Sequence, residues 1–277
     1  MRYEVIHLKE HFPVLAEAGK DPVLTVYVPD PMQDADMKDR QRGCVLICPG
    51  GGYCFVSDRE AEPVAMHMLS EGYVAAVLTY SIAPHRFPTQ LREVAAAMEL
   101  LHANAGRWQV DPCRIAIMGF SAGGHLAAHY SNAYAIDVVR EAFPDSKPVC
   151  ASVLSYPVIT ADPAHCHRES FEMLTGHEYP LSREELDQFS CDRLVTESTP
   201  PAFLWHTAED GCVPVMNSLL YTQAMAKYGV PFELHIYPAG GHGMSTADAV
   251  TIADPDAAAM RANDWLRQVK IWIKKHV

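Results

Sequence analysis

The sequence predicts an α/β fold in which a doubly wound, mostly parallel sheet is flanked by helices. Apolar runs rich in β-forming residues alternate along the chain with segments of helical periodicity. The later apolar runs are nearly continuous, which is typical of strands buried on both faces of a parallel sheet. One of these runs passes through a glycine-rich turn into a helix. A length of 277 residues suits a single large domain over residues 1–277.

The apolar runs set the predicted strands, and polar residues set the first long loop. In chain order the strands are predicted at residues 23–28, 44–48, 73–80, 114–118, 150–156, 201–207 and 232–237. Residues 29–42 are polar, with proline, glutamine and several aspartates, and are predicted to be a loop between two early strands. Connections between parallel strands of one sheet are almost always right-handed, so we expect right-handed crossovers wherever these strands are parallel.

Helices are predicted in the intervals between the strands. A first helix, capped by Ser57-Asp58, is expected to end at Gly72, and a second is expected over residues 88–106. The last helix is predicted to open at Asp254-Pro255, with apolar residues recurring at helical spacing. The aromatic residues of that helix are interpreted as core packing.

Residues 157–200 interrupt the alternation of strands and helices. The stretch is polar, holds several histidines and contains a capping-box start, Ser182-Arg183-Glu184-Glu185. It follows a core strand, and ligands of such folds bind outside the carboxyl ends of the strands. We interpret it as a lid or a wall of a substrate pocket, and a plain surface excursion is the alternative.

Composition and charge exclude several classes of protein. The net charge is −12 and the acidic residues are dispersed, whereas nucleic-acid binding requires a basic face. No window is long and apolar enough for a transmembrane span, so no membrane partner is expected. The N-terminal residues do not resemble a signal peptide, and a cytoplasmic location is the expectation.

Neither the cysteines nor the histidines predict a cofactor. The eight cysteines form no C-x-x-C pair, and Cys44, Cys48 and Cys150 lie in strand-like runs, so reduced thiols are expected. Among the 14 histidines, His125 and His129 share a helix face but lack the glutamate of a zinc motif. We predict no metal and no cofactor, and interpret His125 as a packed or capping residue beside residues 119–123.

The stretch 119–123, Gly-Phe-Ser-Ala-Gly, is the most informative motif. An apolar run precedes it and a helix-like run follows, which is the layout of a nucleophile elbow. The turn is so sharp that the residues two positions from Ser121 must be small, which explains Gly119 and Gly123. Ser121 is therefore the candidate nucleophile.

A serine hydroxyl needs a base, usually a histidine that a carboxylate orients. Both are expected after the serine, in loops that follow late strands. Asp210 follows the strand predicted at 201–207, and His242 follows the strand predicted at 232–237. Glu209 is the rival acid, and Asp210 is preferred because Gly211 favours a turn that aims the shorter side chain. Asp210 and His242 are the candidate catalytic partners of Ser121.

Negative charge on a reacting carbonyl oxygen needs backbone N–H donors. A glycine run, Gly50-Gly51-Gly52, follows the second predicted strand. Enzymes with a nucleophile elbow carry their oxyanion loop at an equivalent place in the fold. Gly51, Gly52 and Ala122, the residue after the serine, are the candidate oxyanion donors. Tyr53 directly follows the glycines and is a candidate substrate-binding residue.

Together these motifs resemble the α/β-hydrolase fold, and specifically esterases of the hormone-sensitive-lipase and acetyl-xylan-esterase type. The family's His-Gly-Gly-Gly appears here as Pro49-Gly50-Gly51-Gly52. Residues 59–63, 111–115, 119–126 and 210–214 are similar to bacterial acetyl-xylan esterases and sugar-ester hydrolases. The resemblance covers the chain from about Val23 to its C-terminus. It implies that Ser121 attacks an ester carbonyl while His242 moves the proton.

The chain also departs from this family. Pro49 removes a histidine side chain that usually braces the glycine loop. We do not expect the large N-terminal cap of many hormone-sensitive-lipase relatives here, because the first predicted strand starts by Val23. An open pocket, covered at most by residues 157–200, favours small or polar acyl esters over long-chain lipids.

The predicted function is therefore serine carboxylesterase activity on short-chain acyl esters, with acetylated sugars as candidate substrates. A small-molecule ester is the expected partner, and a homodimer is one open alternative for the oligomeric state. A serine peptidase of the prolyl-oligopeptidase type shares the fold and the three residues. A non-catalytic binding protein on the same fold is the third alternative.

Overall fold

The computed structural model describes residues 1–16, 22–34 and 40–277. Within these ranges the strands are β1 (Arg2–His7), β2 (Val23–Val28), β3 (Arg42–Cys48), β4 (Val74–Thr79), β5 (Val110–Phe120), β6 (Ser152–Ser155), β7 (Ala202–Thr207) and β8 (Phe232–Tyr237). They form one open eight-stranded sheet in the order β1-β2-β4-β3-β5-β6-β7-β8. β2 pairs antiparallel with both β1 and β4, and every other pair is parallel. The predicted fold class is confirmed.

Every predicted strand is present, but β1 was missed and the prediction that 23–28 is the first strand is wrong. β1 is a six-residue edge strand whose residues alternate between half-buried and exposed. The alternation in β1 extends over only six residues, and only every second side chain is partly buried. The strand therefore lacks the continuous apolar run that marks the inner strands. The predicted loop 29–42 contains no strand in its described part before Arg42, which opens β3; residues 35–39 lie outside the described residues.

Twelve helices lie in the described ranges. They are α1 (Leu8–His11), α2 (Glu62–Ser70), α3 (Thr89–Ala103), α4 (Ala105–Trp108), α5 (Ser121–Ala133), α6 (Asp137–Arg140), α7 (Arg168–Thr175), α8 (Arg183–Phe189), α9 (Cys191–Leu194), α10 (Met216–Lys227), α11 (Ala257–Ala262) and α12 (Asp264–His276). Short 3-10 turns occur at Pro13–Leu15 and Asp58–Glu60. None of these helices combines the length and apolarity needed to cross a membrane.

Three predicted helix boundaries are wrong. The Ser57 side chain caps nothing, because a 3-10 turn at Asp58–Glu60 precedes α2. α3 ends at Ala103 rather than at Gly106, and the separate short helix α4 follows. The helix predicted from residue 254 is capped by Asp256 and is divided at Asn263 into α11 and α12.

The sheet is covered on both faces, as the continuous apolar strands predicted. On β3, Cys44 and Leu46 belong to one hydrophobic core, whereas Val45 and Ile47 belong to the other. The first core includes apolar residues of α3 and α5, and the second includes those of α2 and α12. The carboxyl ends of the parallel strands are thereby held at one rim of a sheet that is packed on both sides.

The stretch 157–200 lies between β6 and β7 and contains α7, α8 and α9. The predicted capping box is confirmed: the Ser182 hydroxyl accepts from the Glu185 N–H at 3.2 Å, and the Glu185 carboxylate accepts from the Ser182 N–H at 2.9 Å. The stretch packs against α5, where the Phe189 ring meets the His129 ring edge to face.

Trp265 of α12 is a large buried residue of the second core, and its contribution to stability can be measured. Its indole is fully buried, stacks on Trp205 at 5.2 Å and donates a hydrogen bond to the Ser245 carbonyl at 3.0 Å. Trp265→Ala is expected to lower the free energy of unfolding by about 3–5 kcal/mol, because it removes a large buried side chain and leaves a cavity. Urea denaturation measures this change. Met260→Ala, at a position that is 69% exposed, is the control and should stay within about 0.5 kcal/mol of the parent.

Candidate active site

Ser121 sits at a sharp turn at the centre of the sheet. β5 ends at Phe120 and α5 begins at Ser121, so no residue separates the strand from the helix. The Ser121 backbone is left-handed, with φ of +52°, which is strained for a residue with a side chain. β5 lies between β3 and β6, so the hydroxyl emerges in the middle of the rim.

The glycines around Ser121 are required by close backbone contacts. A Cβ on Gly119 would lie 2.2 Å from the Gly123 carbonyl oxygen, and one on Gly123 would lie 2.1 Å from the Cys48 carbonyl oxygen. A Cβ on Gly124 would lie 2.7 Å from Pro157. The expectation that the residues two positions from Ser121 must be small is confirmed, because β3, β5 and α5 approach at backbone distance.

The structure brings Ser121, His242 and Asp210 together. His242 Nε2 lies 2.7 Å from Ser121 Oγ, and His242 Nδ1 lies 2.7 Å from Asp210 Oδ2. With its proton on Nδ1, the imidazole donates to the carboxylate and accepts from the serine hydroxyl. Glu209, the rival acid, is exposed, whereas the Asp210 side chain is fully buried. The two loops come from β7 and β8, as the sequence predicted.

Asp210 has several further partners. Its Oδ1 accepts from the Cys212 and Val213 N–H groups, each at 2.9 Å, and its Oδ2 lies 3.3 Å from Nε2 of the buried His206. Burial alone would raise the pKa of Asp210, but hydrogen bonds from His206 and His242 bring this pKa below its usual range. The carboxylate is thus ionised and fixed toward His242.

His206 is a residue of the site that the sequence motifs do not mark. Its Nδ1 lies 2.8 Å from the Ser218 hydroxyl and its Nε2 lies 2.9 Å from the Val213 carbonyl oxygen. The sequence does contain a sign of this residue, because a histidine lies inside the otherwise apolar run of β7. A polar side chain buried in a strand needs hydrogen-bond partners.

The glycine run lies beside Ser121 and makes a tight turn. The Gly51 carbonyl accepts from the Cys54 N–H at 2.8 Å and from the Phe55 N–H at 3.1 Å. Gly51 has φ of +128°, and a Cβ there would lie 2.1 Å from the Phe55 carbonyl oxygen. Gly51 and Gly52 line the cavity that contains Ser121. Ala122 is the second residue of α5, where backbone N–H groups have no partner within the helix.

Tyr53 is placed differently from its sequence-based interpretation. Its side chain is 1% exposed and does not line the cavity. Its hydroxyl lies 2.9 Å from Nδ1 of His125, whose Nε2 lies 2.8 Å from the Phe189 carbonyl oxygen. Tyr53 therefore packs behind the glycine loop and has no direct access to a molecule in the cavity.

The cavity at Ser121 has a volume of about 270 Å³ and a wall that combines polar and apolar surface. Arg59 and Glu60 come from the 3-10 turn before α2, and His167 and Glu169 come from the stretch 157–200. Burial lowers the pKa of His167, and the nearby His242 lowers it further. The sequence pattern had not marked Arg59, Glu60 or Glu169 as site residues.

His125 and His129 are buried beneath the site on α5. Burial lowers the pKa of His125 to about 4 and that of His129 to about 3. The His129 ring stacks on Phe87 at 5.7 Å. Neutral imidazoles in apolar contact are core residues, as predicted for His125. In the described ranges no group of three or more His, Cys, Asp or Glu residues could hold a metal ion.

An open, mostly parallel sheet with a serine elbow after a central strand defines an α/β-hydrolase. Comparison with known families agrees, because the BD-FAE family model matches residues 30–225. The chain belongs to the BD-FAE family.

Two relatives carry names connected with xylan. The chain is 36% identical over 220 residues to the endo-1,4-beta-xylanase B of Butyrivibrio fibrisolvens. The aligned region covers 76% of this chain and 34% of the relative. The chain is also 32% identical over 203 residues to the acetylxylan esterase of Xylanibacter ruminicola, covering 72% of this chain and 40% of the relative. The chain thus spans well under half the length of either protein.

Two solved structures match over nearly the full length of both chains. The acetyl ester-xyloside bifunctional hydrolase from Caldicellulosiruptor lactoaceticus is 33% identical with a TM-score of 0.83, covering 99% of this chain and 96% of the other. A carboxylesterase from Lactobacillus plantarum WCFS1 is 28% identical with a TM-score of 0.81, covering 99% and 98%. The resemblance to esterases of the α/β-hydrolase fold that the sequence showed is therefore confirmed.

The close packing at Gly123 predicts the outcome of adding one methyl group. Gly123→Ala is expected to lower the free energy of unfolding by about 1–3 kcal/mol, because the carbonyls of Cys48 and Pro49 must move. It should also lower kcat/KM for p-nitrophenyl acetate by about 100-fold, since a shift of about 1 Å at Ser121 costs that much. Gly106→Ala is the control, because an added Cβ there would meet no heavy atom within 4 Å apart from its chain neighbours and its own helix backbone. Parental activity in Gly123→Ala would contradict this account of the elbow.

The buried histidines predict a pH dependence of stability. Below about pH 6.5 the unfolded chain protonates both imidazoles, whereas the folded chain keeps them neutral down to about pH 4. The free energy of unfolding therefore falls with decreasing pH in this window, by about 1.4 kcal/mol per pH unit for each histidine. His129→Phe should reduce this slope by about 1.4 kcal/mol per pH unit, measured by urea denaturation between about pH 4.5 and 6. The exposed His11→Phe is the control, and an unchanged slope in His129→Phe would contradict the prediction.

Proposed function

We propose that the chain is a serine carboxylesterase that hydrolyses short-chain acyl esters through Ser121, His242 and Asp210. The observation that carries the proposal is the pair of 2.7 Å hydrogen bonds joining these three side chains at the wall of an open cavity. The names of the relatives support ester hydrolysis as the reaction class.

The geometry suits acyl transfer in two steps. Ser121 Oγ attacks the ester carbonyl while His242 Nε2 takes the hydroxyl proton, and the same imidazole then protonates the leaving alcohol. Water attacks the acyl-enzyme by the same route and releases the acid. Asp210 keeps the imidazole in the required tautomer and stabilises the imidazolium that forms.

The tetrahedral oxygen is proposed to bind the N–H groups of Gly51, Gly52 and Ala122. These groups belong to the glycine loop and to the first turn of α5, which flank Ser121. Each such donor typically contributes about 2.7–4 kcal/mol to lowering the barrier. The partial positive charge at the N-terminus of α5 adds to this effect.

The cavity supports a short acyl group joined to a polar alcohol. Its volume of about 270 Å³ is near the lower end of the range for small-ligand sites. Arg59, His167 and Glu169 offer donors and acceptors to hydroxyl groups near Ser121. Acetylated sugars are therefore the proposed substrates. Residues 157–200 act in this proposal as a pocket wall within one hydrolase domain.

The experiment is an ester panel with Ser121→Ala. p-Nitrophenyl esters from acetyl to octanoyl and acetylated xylo-oligosaccharides are assayed with the parent, Ser121→Ala and the exposed control Ser198→Ala. Ser121→Ala is expected to lower kcat by at least about 1,000-fold, since the nucleophile is removed, and the control should match the parent. The parent should prefer acetyl esters over octanoyl esters.

The panel separates the alternatives when a dipeptide anilide and a fluorophosphonate probe are added to it. Equal rates in the parent and Ser121→Ala would remove Ser121 from the reaction. Cleavage of a dipeptide anilide at a rate comparable to p-nitrophenyl acetate would favour a peptidase. Failure of a fluorophosphonate to label Ser121 in the folded protein would favour a non-catalytic binding protein.

A further inference from the structure

Glu60 is a buried acid at the wall of the cavity, and the reaction proposed above does not use it. It ends the 3-10 turn Asp58–Glu60, and its side chain is 3% exposed. Burial raises the pKa of Glu60, although hydrogen bonds from Tyr156 and Gly50 act in the opposite direction. An acid in such a place is costly for the fold unless its oxygens are bound.

Each oxygen of Glu60 binds a different loop. Oε2 accepts the Gly50 N–H at 2.7 Å, and Oε1 accepts the Tyr156 hydroxyl at 2.6 Å. Gly50 opens the glycine run after β3, and Tyr156 directly follows β6. The carboxylate therefore ties the loop of the candidate oxyanion donors to the end of β6, which lies on the other side of β5 in the sheet.

The connection continues to the loop of His242. The Tyr156 hydroxyl accepts the Ser245 N–H at 2.8 Å, and the Ser245 hydroxyl donates to the Arg59 carbonyl at 2.5 Å. The Tyr156 ring meets the His242 ring edge to face, with centroids 5.0 Å apart. A closed ring of hydrogen bonds thus runs from residue 59 through Glu60, Tyr156 and Ser245 and back.

There is no spare room on the side of Gly50 that faces these groups. A Cβ on Gly50 would lie 2.7 Å from Glu60 Oε2 and 2.9 Å from Ser121 Cβ. The start of the glycine run is thus held between the Glu60 carboxylate and the nucleophile. A change in the position of the carboxylate must move the N–H groups of the run relative to Ser121.

We propose that Glu60 is a positioning residue that fixes the Gly50–Gly52 backbone against Ser121 and, through Tyr156, against the loop of His242. This proposal rests on the proposed function of the same site. Glu60 acts by binding Gly50 and Tyr156 and forms no bond with the ester. The histidine that Pro49 replaces in the sequence motif is, in this view, compensated by an acid eleven residues further along the chain.

The principal test is Glu60→Gln, with the exposed Glu62→Gln as a matched control. A glutamine has the same shape, but its single oxygen can face only one of Gly50 and Tyr156, so the other partner meets an NH2 group where the carboxylate offered an acceptor. We expect kcat for p-nitrophenyl acetate to fall by about 10- to 100-fold with KM changed by less than about 2-fold, because a displaced donor affects the transition state more than the bound ester.

A second readout separates positioning from a purely structural role. A trifluoromethyl ketone forms a tetrahedral oxyanion on the serine, so its affinity for Glu60→Gln should fall by the same factor as kcat/KM. If Glu60→Gln only lowers the melting temperature, while kcat of the folded fraction and the affinity for the ketone match the parent, the proposal is overturned.

Further variants keep the proposal testable if Glu60→Gln does not fold. Glu60→Asp keeps the charge but is one methylene too short to reach both partners, so the same fall in kcat at constant KM is expected, and a parental kcat would overturn the proposal. Tyr156→Phe should give a smaller fall of about 3- to 10-fold, because the Gly50 bond persists. An inactive Ser121→Ala with a fully active Glu60→Gln refutes only the role of Glu60, whereas an active Ser121→Ala refutes the proposed function.

Discussion

The direct junction of β5 and α5 at Ser121 is the constraint on which the site depends. With no residue between strand and helix, the Ser121 backbone must be left-handed, and α5 starts against the carbonyls of Cys48 and Pro49. Ser121 and the glycine loop after β3 are therefore adjacent as a result of main-chain packing alone. Asp210 and His242 only have to reach this point from the ends of β7 and β8.

The parts of the site that the sequence predicted are those with local signals. The elbow combines glycines at fixed spacing with a preceding apolar strand, and Asp210 and His242 each follow a strand whose apolar run is continuous. Parallel strands end at the same rim, so residues just after them converge whatever their separation along the chain. Every inner strand was predicted because its apolar run is continuous, although several strands begin or end a few residues away from the predicted positions.

The remaining features depend on contacts that a single sequence does not display. Glu60 lies in a polar stretch that resembles an exposed helix start, and its partner Tyr156 is 96 residues away. Tyr53 was assigned to the pocket because it follows the glycines, but its left-handed backbone, with φ of +59°, goes with a side chain buried against His125. β1 was missed because an edge strand that is half covered needs only a weak apolar pattern.

The cavity is lined both by residues that follow strands of the sheet and by residues of the segment 157–200. Ser121, Asp210 and His242 follow strands of the sheet, whereas His167 and Glu169 come from a segment inserted between β6 and β7. Substitutions or length changes in that segment can therefore accumulate without altering strand order or the elbow. In the proposed esterase, selectivity toward the alcohol part of an ester can therefore diverge among homologous chains while Ser121, Asp210 and His242 keep their positions.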